Sequence, residues 1–498
     1  MVGEPHLDQR EQDKELLAKF GYEQELHRSL GFFSTFAIAF SFVSATTGIF
    51  SLFWYGLDTG GPAASFWGWP IVFFGQLMVA LTFAEVSSHY PLAGGLYQWC
   101  RHLWGPNYAW FVAWMYLIAL LVTVAAVDFG VAPVFSSLFG LEPTRWTLTI
   151  IALSFAIVQA ILNIVGIRVM AFVNNIGTVT EIIGMVGVAA ALILAIIFGS
   201  KSHQTLSVVF DTGGIRPGGG YIWAFLPALL ASAWVLYGFD SAGGVAEETK
   251  NPTREVPRAI LAALIGTFII GGIFILAALV AIPNVPDAIG QGVEVLPWIL
   301  KTHLPLWLSD VFLAVVCVAI FVCGLAVMAT TARLLYSYGR DGQIPASGFF
   351  KKVSPRFGTP VRATLFVLAF TAILLIQQSQ LYRIIAWATV GIYIPYQMVV
   401  FASMRARTRG WPKIRSDFSL GSWGWVVNII GFVYGVFMII NMSWPRSPEG
   451  TPWYDNYLVP LSVIVALGIG LIFYLYHRSK GESMEIRGPE ETGSEDTA

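Results

Sequence analysis

The sequence predicts an all-helical protein that crosses a membrane many times. The chain has 498 residues, of which 56% are hydrophobic and only 12% are charged, and its mean hydropathy is +0.67. A soluble fold does not use so much apolar surface. Apolar stretches of about 20 residues, the length that a helix needs to cross a bilayer, recur from Gly31 to His477. The alternating pattern of a transmembrane β-barrel is absent, so helices are the structure expected to satisfy the backbone inside the membrane.

Twelve of these stretches are the predicted spans. Their ranges are 31–55, 63–88, 106–138, 146–165, 169–198, 221–246, 258–282, 307–336, 360–378, 381–404, 421–442 and 457–477. An even number of spans places both termini on one side, and the excess of Lys and Arg in loops marks the cytoplasmic side. With the N-terminus inside, all but six of the 29 Lys and Arg residues lie in cytoplasmic segments. The sequence therefore predicts an integral protein of the plasma (inner) membrane with both termini in the cytoplasm.

Short polar tails are predicted at the two ends of the chain. Residues 1–30 lack the basic start, short apolar core and cleavage site of a signal peptide, and residues 11–26 are expected to form a helix. Residues 478–498 are acidic and poor in apolar side chains, a composition typical of disordered segments. The three cysteines are too few and too scattered for a disulfide framework, so we interpret them as small core residues.

Polar and glycine residues interrupt two of the predicted spans. Span one contains SATTG at 44–48, and span six contains YGFDSAGG at 237–244. Either run alone is compatible with close helix packing, because Ser and Thr can bond to their own helix backbone. Together they favour another interpretation: each opens a block of five spans, and an odd-numbered block that is repeated re-enters the membrane in the opposite orientation. The predicted blocks are 31–200 and 221–404, and two further spans follow in 421–477.

Interrupted helices predict a binding site for a small zwitterion or amine. A break exposes unpaired N–H groups on one half-helix and unpaired C=O groups on the other, near the middle of the membrane. The N–H groups suit a carboxylate, and the C=O groups suit an ammonium group. The two interruptions are therefore expected to face each other across a bound substrate.

Three further motifs resemble those of the amino acid–polyamine–organocation transporter superfamily, with the amino acid/choline branch as the nearest match. The stretch AEETKNPTREVPRAI at 246–260 resembles the family's loop after helix six, EVSSHYPLAGGLYQW at 85–99 its exit from helix two, and ARLLYSYGRDGQIP at 332–345 its exit from helix eight. The resemblance covers residues 31–404. It implies a leucine-transporter-type fold of two inverted five-helix repeats plus two helices, and alternating access for amino acids or related amines.

The resemblance and the two interruptions together name the expected substrate site. On the first span the expected residues are Ser44, Ala45, Thr46, Thr47 and Gly48. On the sixth span they are Trp234, Tyr237, Gly238, Phe239 and Asp240, where Trp234 resembles an aromatic residue that covers the substrate in relatives. Family members often carry Gly-Ser-Gly where this chain has Thr46, Thr47 and Gly48. The two threonine side chains narrow the site and favour a compact or unusual amine.

Two acids inside the spans are candidate ionisable groups. Asp240 lies at the second interruption, where it would hold a substrate ammonium or a coupling proton, or alternatively cap the inner half-helix of span six. Glu181 lies among Ile, Val and Met residues of span five and is the candidate proton-coupling residue; alternatively it is a buried partner of Ser or Thr in span one. Asp58 and Asp128 are expected at the membrane interfaces.

Charged residues at the predicted cytoplasmic ends of the spans form a candidate gate. Surface ion pairs usually contribute little, but the resemblance implies that such groups hold the inner gate shut in one state. The residues of this candidate gate are Glu85, Glu247, Lys250, Arg254, Arg340 and Asp341.

The sequence favours a secondary active transporter for an amino acid or a small amine, expected to be proton-coupled, with sodium coupling or exchange as alternatives. Choline-like amines and polyamines remain alternative substrates, and a nutrient sensor that binds without transporting is the alternative from another class.

No enzyme or channel is expected, because the spans hold neither a nucleophile or metal constellation nor rings of charge. No phosphate-binding loop, histidine pair at ligand spacing or basic aromatic run is present, so no ATP, metal or other cofactor and no nucleic acid is expected. Membrane lipid is the other expected partner.

Overall fold

A computed structural model describes residues 28–199, 201–377, 381–413, 416–446 and 450–479, together with Leu17, Ala18, Phe20 and Leu26. The helix predicted at 11–26 falls almost wholly outside the described residues. The acidic tail predicted at 478–498 does so too, except for its first two residues. Within the described residues the chain is helical, and the only strand-like feature is one isolated bridge between Leu30 and Thr249.

Fifteen labelled helices make up the described part of the fold. They are α1 (Phe32–Val43), α2 (Ala45–His89), α3 (Leu96–Leu103), α4 (Pro106–Phe139), α5 (Arg145–Val165), α6 (Ile167–Phe198), α7 (Ile222–Val235), α8 (Pro252–Val280), α9 (Val285–Gly290), α10 (Val295–His303), α11 (Leu306–Arg340), α12 (Val361–Gln377), α13 (Leu381–Thr408), α14 (Gly424–Ser443) and α15 (Leu458–Ser479).

The predicted fold class, an all-helical polytopic membrane protein, is confirmed. Among the described residues, nine helices are long and apolar enough to cross a membrane, and the first of these, Phe32–His89, holds spans one and two. Helices α7 and α12 are shorter apolar helices at the positions of spans six and nine. The described residues therefore contain a helix for each of the twelve predicted spans.

Spans one and two meet at a kink inside the predicted break at 56–62, without a longer loop between them. The range of α2 covers two helical segments that meet at Gly61, whose backbone, with φ 70° and ψ −175°, is not helical. This backbone conformation is essentially restricted to glycine. A side chain at Gly61 would also meet the carbonyl oxygen of Thr212, which lies 2.4 Å from the ideal Cβ position. One residue thus redirects the chain.

Helices also form in two loops where the sequence analysis placed none. The amphipathic α3 lies between spans two and three, with most of its residues buried. The short helices α9 and α10 lie between spans seven and eight. These helices are too short and too polar to show the hydropathy pattern of a membrane span, so hydropathy alone does not predict them.

Helix α4 lies in the centre of the bundle and packs against α5, α11 and α13. Large apolar side chains on the outer helices remain exposed, for example Phe172 and Ile183 on α6 and Ile472 on α15. Helices with a large apolar exposed surface face lipid in a membrane protein. The polar residues of the interior are therefore enclosed by a ring of apolar helices.

The redirected backbone at Gly61 generates a stability prediction. Gly61→Ala should lower thermal stability in detergent because a backbone strain of roughly 1–3 kcal/mol adds to a clash with the Thr212 backbone. Gly140→Ala is the matched control: Gly140 also has a left-handed backbone, with φ 63°, but nothing lies within 4 Å of an added Cβ. We expect the unfolding temperature to fall clearly more for Gly61→Ala, measured by fluorescence-detected size exclusion after heating. Equal losses would contradict the close approach of Thr212.

Candidate functional site

The first span breaks at Ser44, between α1 and α2. Ser44 has an unusual backbone conformation with φ 29° and ψ 94°, and its side-chain oxygen accepts a hydrogen bond from the amide of Thr47 at 3.2 Å. Ser and Thr are common at such positions because their oxygens satisfy the free amides of a new helix. The interruption predicted at 44–48 is therefore present, and its own side chains cap the second half-helix.

The sixth span breaks after Val235, where α7 ends. Residues 236–240 are not helical, and the chain then forms one helical turn at Ser241–Gly244. Gly238 has φ 97°, and a Cβ there would lie 1.9 Å from Cδ1 of Phe42. Only glycine permits both this backbone and this contact. The break in span six thus packs directly against the end of α1.

A small cavity lies between the two breaks. Its free volume is only about 10 Å³, roughly the room for one water molecule, and Thr47, Gly48, Trp234 and Tyr237 contribute to its lining. These four are among the residues that the sequence predicted for substrate binding. The rest of the lining, which the sequence did not predict, comes from spans one, three and eight: Phe42, Val43, Thr123, Val127, Cys323 and Val327.

Asp240 does not line this cavity and does not cap the inner half-helix. Its side chain makes no capping hydrogen bond. Instead, its two carboxylate oxygens accept hydrogen bonds from the hydroxyl groups of Tyr116 and Tyr396. The Tyr396 hydroxyl also accepts from the amide of Gly238 at 2.9 Å. The capping alternative is therefore wrong, and Asp240 ties span six to spans three and ten.

Glu181 lies directly at the break in span one. Its Oε1 accepts from the Ser44 hydroxyl at 2.7 Å and from the Thr46 amide at 3.2 Å. Three other residues of α6 also bond to α1: Thr178 to the Ser41 hydroxyl at 2.8 Å, Asn174 to the Ala37 carbonyl at 2.9 Å, and Asn175 to the Ser34 hydroxyl at 3.0 Å. The predicted alternative, a buried partner of Ser or Thr in span one, is present in the structure. The proposed role of Glu181 in proton coupling stays a prediction.

The amides expected to receive a substrate carboxylate are largely occupied in this conformation. Thr46 donates to Glu181, Thr47 donates to the Ser44 side chain, and Gly48 donates to the Ser44 carbonyl at 3.2 Å. The Glu181 carboxylate thus occupies the helix N-terminus, where a carboxylate is favoured. A substrate carboxylate could reach the Thr46 amide only by replacing that of Glu181.

Four buried ion pairs join the spans at the predicted cytoplasmic end. Glu247 pairs with Arg340 at 3.2 Å and Glu248 pairs with Arg333 at 2.5 Å, so span six is held to span eight. The other two pairs are Glu85 with Arg407 and Asp341 with Arg101. Removing one member of a buried pair is costly because the remaining charge is left uncompensated.

Four of the six predicted gate residues belong to this network, and two do not. Lys250 and Arg254 are exposed, and neither forms an ion pair within the described residues. Their place near Glu247 in the sequence does not bring them into the bundle, because the chain turns outward before α8. Sequence reasoning missed Arg101, Arg333 and Arg407, which lie far from their acids along the chain.

Of the two acids expected at the membrane interfaces, Asp58 is exposed but Asp128 is not. Asp58 lines a larger cavity, of about 480 Å³, at the end of the bundle opposite the ion pairs. Asp128 is only 1% exposed and accepts a hydrogen bond from Gln159 at 2.8 Å. The interfacial prediction for Asp128 is therefore wrong, because the side chain turns inward between α5 and α11.

Comparison with known proteins gives consistent matches along nearly the whole chain. A family model described as amino acid permease matches residues 30–469. Amino-acid permease BAT1 of Arabidopsis thaliana is 28% identical over 492 residues, covering 92% of this chain and 93% of that protein. The GABA-specific permease of Saccharomyces cerevisiae is 25% identical over 498 residues, covering 94% and 84%. Amino-acid permease 2 of Neurospora crassa is 24% identical over 530 residues, covering 97% and 93%. The family match includes both interrupted spans.

The hydroxyl of Tyr396 generates a prediction about the second break. Tyr396→Phe removes the partner of one Asp240 oxygen and of the Gly238 amide, so it should destabilise the protein by about 1–3 kcal/mol or more, the cost of leaving buried polar groups unsatisfied. Tyr393→Phe is the matched control on the same helix, because the Tyr393 hydroxyl bonds to the Tyr434 hydroxyl, at 3.1 Å, and to no carboxylate or backbone amide among the contacts of the described residues. Thermal unfolding of both variants in detergent measures the difference. A smaller loss for Tyr396→Phe than for Tyr393→Phe would contradict the assigned contacts.

Proposed function

The chain belongs to the amino acid permease family, and on that premise we propose that it moves an amino acid or a related small amine across the membrane by alternating access. Family membership identifies an integral membrane transporter rather than an enzyme. The observation that carries the proposal is the pair of interrupted helices, α1 with α2 and α7 with Ser241–Gly244, which face a common cavity in the middle of the bundle.

In this proposal the substrate lies between the two interruptions. Its carboxylate would approach the amides of residues 44–48, and its amine would approach the carbonyls of residues 234–239 with Asp240 behind them. With about 10 Å³ of free volume the cavity is nearly closed in this conformation, so the helices around it would have to separate to admit a substrate. One of the relatives is a GABA-specific permease, so γ-aminobutyrate is one candidate beside the common amino acids and amines.

Glu181 supplies a physical route to proton coupling. The ionised carboxylate holds the Thr46 amide, and a substrate carboxylate needs the same donor. A proton on Glu181 removes its negative charge. The hydrogen bond from the Thr46 amide to this side chain then becomes weaker, since hydrogen bonds to charged groups are stronger than those to neutral ones. Proton uptake and carboxylate binding would then favour each other, which is the thermodynamic definition of coupling.

The four ion pairs at one end of the bundle and the larger cavity at the other support a conformation in which the substrate pathway is closed at the end with the ion pairs. We propose that the end with the four ion pairs is cytoplasmic, that both termini lie on that side of the plasma (inner) membrane, and that residues 31–200 and 221–404 are the inverted repeats. Residues 421–477 would then be the two additional spans. The cavity of about 480 Å³ at the other end would be the external approach to the site.

Uptake by the purified full chain in proteoliposomes tests the function. We expect saturable uptake of at least one member of a panel of labelled amino acids, γ-aminobutyrate, choline and polyamines, stimulated by an inward proton gradient. Specific binding without any uptake would contradict transport and would instead favour a sensor.

The same assay tests the role of Glu181. Glu181→Gln keeps an oxygen for the Thr46 amide but cannot carry a proton, so we expect accumulation against a gradient to be lost while exchange of internal for external substrate remains. Glu294→Gln, a change at an exposed acid, is the control and should behave as the natural protein does. An unchanged dependence of uptake on the proton gradient in Glu181→Gln would remove Glu181 from coupling and leave the transport function standing.

The ion pairs at the predicted cytoplasmic end generate a prediction about gating. Arg340→Gln removes the partner of Glu247 and should favour the state open on that side by about 1–3 kcal/mol, roughly 5- to 150-fold in population. Cys100, which is fully buried beside this network, is a native reporter, and its rate of modification by a maleimide added at that side should rise. Arg258→Gln is the matched control, because Arg258 is half exposed and pairs with Glu255 only at 3.6 Å. Equal rates in the two variants would show that the pair does not hold the gate.

A further inference from the structure

A second buried acid, Asp128, lies outside the proposed substrate site. It projects from α4 into the space between α5 and α11, where its Oδ1 accepts a hydrogen bond from Nε2 of Gln159 at 2.8 Å. The same Nε2 donates to the carbonyl oxygen of Phe321 on α11 at 3.2 Å. Because a carbonyl can only accept, this second bond fixes which end of the Gln159 amide faces α11.

Two oxygen atoms of this pair have no partner. Oδ2 of Asp128 and Oε1 of Gln159 are buried and make no hydrogen bond within the described part of the chain. The two side chains are 1% and 0% exposed. An ionised carboxylate and an amide oxygen are both acceptors only, so they cannot satisfy each other. Two orphaned acceptors in one buried contact would be a substantial cost.

We propose that Asp128 is a proton-binding site, with the proton on Oδ2 and donated to Oε1 of Gln159. One proton converts the orphaned Oδ2 into a donor and gives the orphaned Oε1 its partner. The acid and the amide then form a neutral pair with two hydrogen bonds, and no net charge remains in the bundle. This site is distinct from the proposed coupling site at Glu181, whose Oε1 is already bonded to span one.

The surroundings of Asp128 offer no positive charge that would stabilise its ionised form. Helix α5 carries its only charge at Arg145, which lies 14 residues and therefore about 21 Å along the helix from Gln159. The ionisable side chain that α11 presents is Cys323, which interacts electrostatically with Asp128 and Glu181. Within the described residues no Lys or Arg pairs with Asp128. A lone carboxylate in such a place is costly unless it is protonated or paired.

Gly324 shows that the third helix closes directly on this pair. A Cβ at Gly324 would lie 2.4 Å from Nε2 of Gln159 and 2.7 Å from Oδ1 of Asp128. Glycine therefore lets α11 lie against the acid–amide contact and cover it. The proton would be held where three helices of the bundle, α4, α5 and α11, meet.

Infrared spectroscopy of the full chain in lipid nanodiscs at neutral pH tests the proposal, because the C=O stretch of a carboxylic acid is separate from the bands of a carboxylate. We expect a carboxylic acid component that is lost in Asp128→Asn and retained in the control Asp58→Asn, which changes an exposed acid. Asp240→Asn should also retain it. A spectrum of Asp128→Asn identical to that of the natural protein in this region would overturn the proposal.

Two further measurements keep the proposal testable if Asp128→Asn folds poorly. Labelling the natural protein with aspartate carrying carbon-13 at the side-chain carboxyl should shift this component to lower frequency, and absence of any shift would exclude a protonated aspartic acid. In thermal unfolding at neutral pH, Asp128→Asn should match or exceed the natural protein, because its amide supplies both hydrogen bonds, whereas Asp128→Leu should unfold at a lower temperature. Equal losses for the two variants would contradict a neutral acid at this position.

Discussion

A helix that is interrupted inside a membrane must find partners for its freed backbone groups within the protein, because hydrocarbon offers none. In this chain Ser44 supplies partners within the first break, and other spans supply the rest. Glu181 of α6 accepts from the Thr46 amide, and Tyr396 of α13 accepts from the Gly238 amide. Each break is therefore a packed junction rather than a loop. The same contacts fix the positions of the fifth and tenth spans against the first and the sixth, on which the shape of the central cavity depends.

The acids of the interior and those at the closed end of the bundle are accommodated by different means. Inside, Asp240 is bonded by two tyrosine hydroxyls and Glu181 by a hydroxyl and an amide. At the closed end, each acid of the network has an arginine partner, as in the pair of Glu248 with Arg333. A charged pair is costly to bury in hydrocarbon, whereas it is tolerated near the membrane surface, where water and long side chains can reach it. Because the donors to Asp240 and Glu181 are neutral, binding of a proton to either acid would change the net charge of the interior.

The two ends of the bundle are unequal in a way that suits alternating access. The end with the ion pairs is closed by side chains from several spans, while the opposite end holds the larger cavity. Under the proposed orientation, a substrate would enter from outside and meet the breaks, and release would require the ion pairs to separate. The free energy of that step would depend on the ion pairs, because separation gives up the attraction within each pair while each charge regains its hydration.

The sequence by itself determined the class of fold, the number of spans and the two interrupted helices, because apolar length and mid-membrane Ser, Thr, Gly and Asp residues are local signals. Four of the six residues of the candidate gate, those that the structure places in ion pairs, were also recognisable, since motif and position together marked the ends of the spans. The partners of the buried acids could not be recognised from the sequence. Tyr116, Tyr396 and Arg407 lie about 120, 160 and 320 residues from the acids that they bind. Nothing local distinguishes these residues from the other tyrosines and arginines of the chain. Only the tertiary structure decided that Asp128 points inward and that Glu181 caps the first break, because the direction of a helix face depends on which helices pack against it.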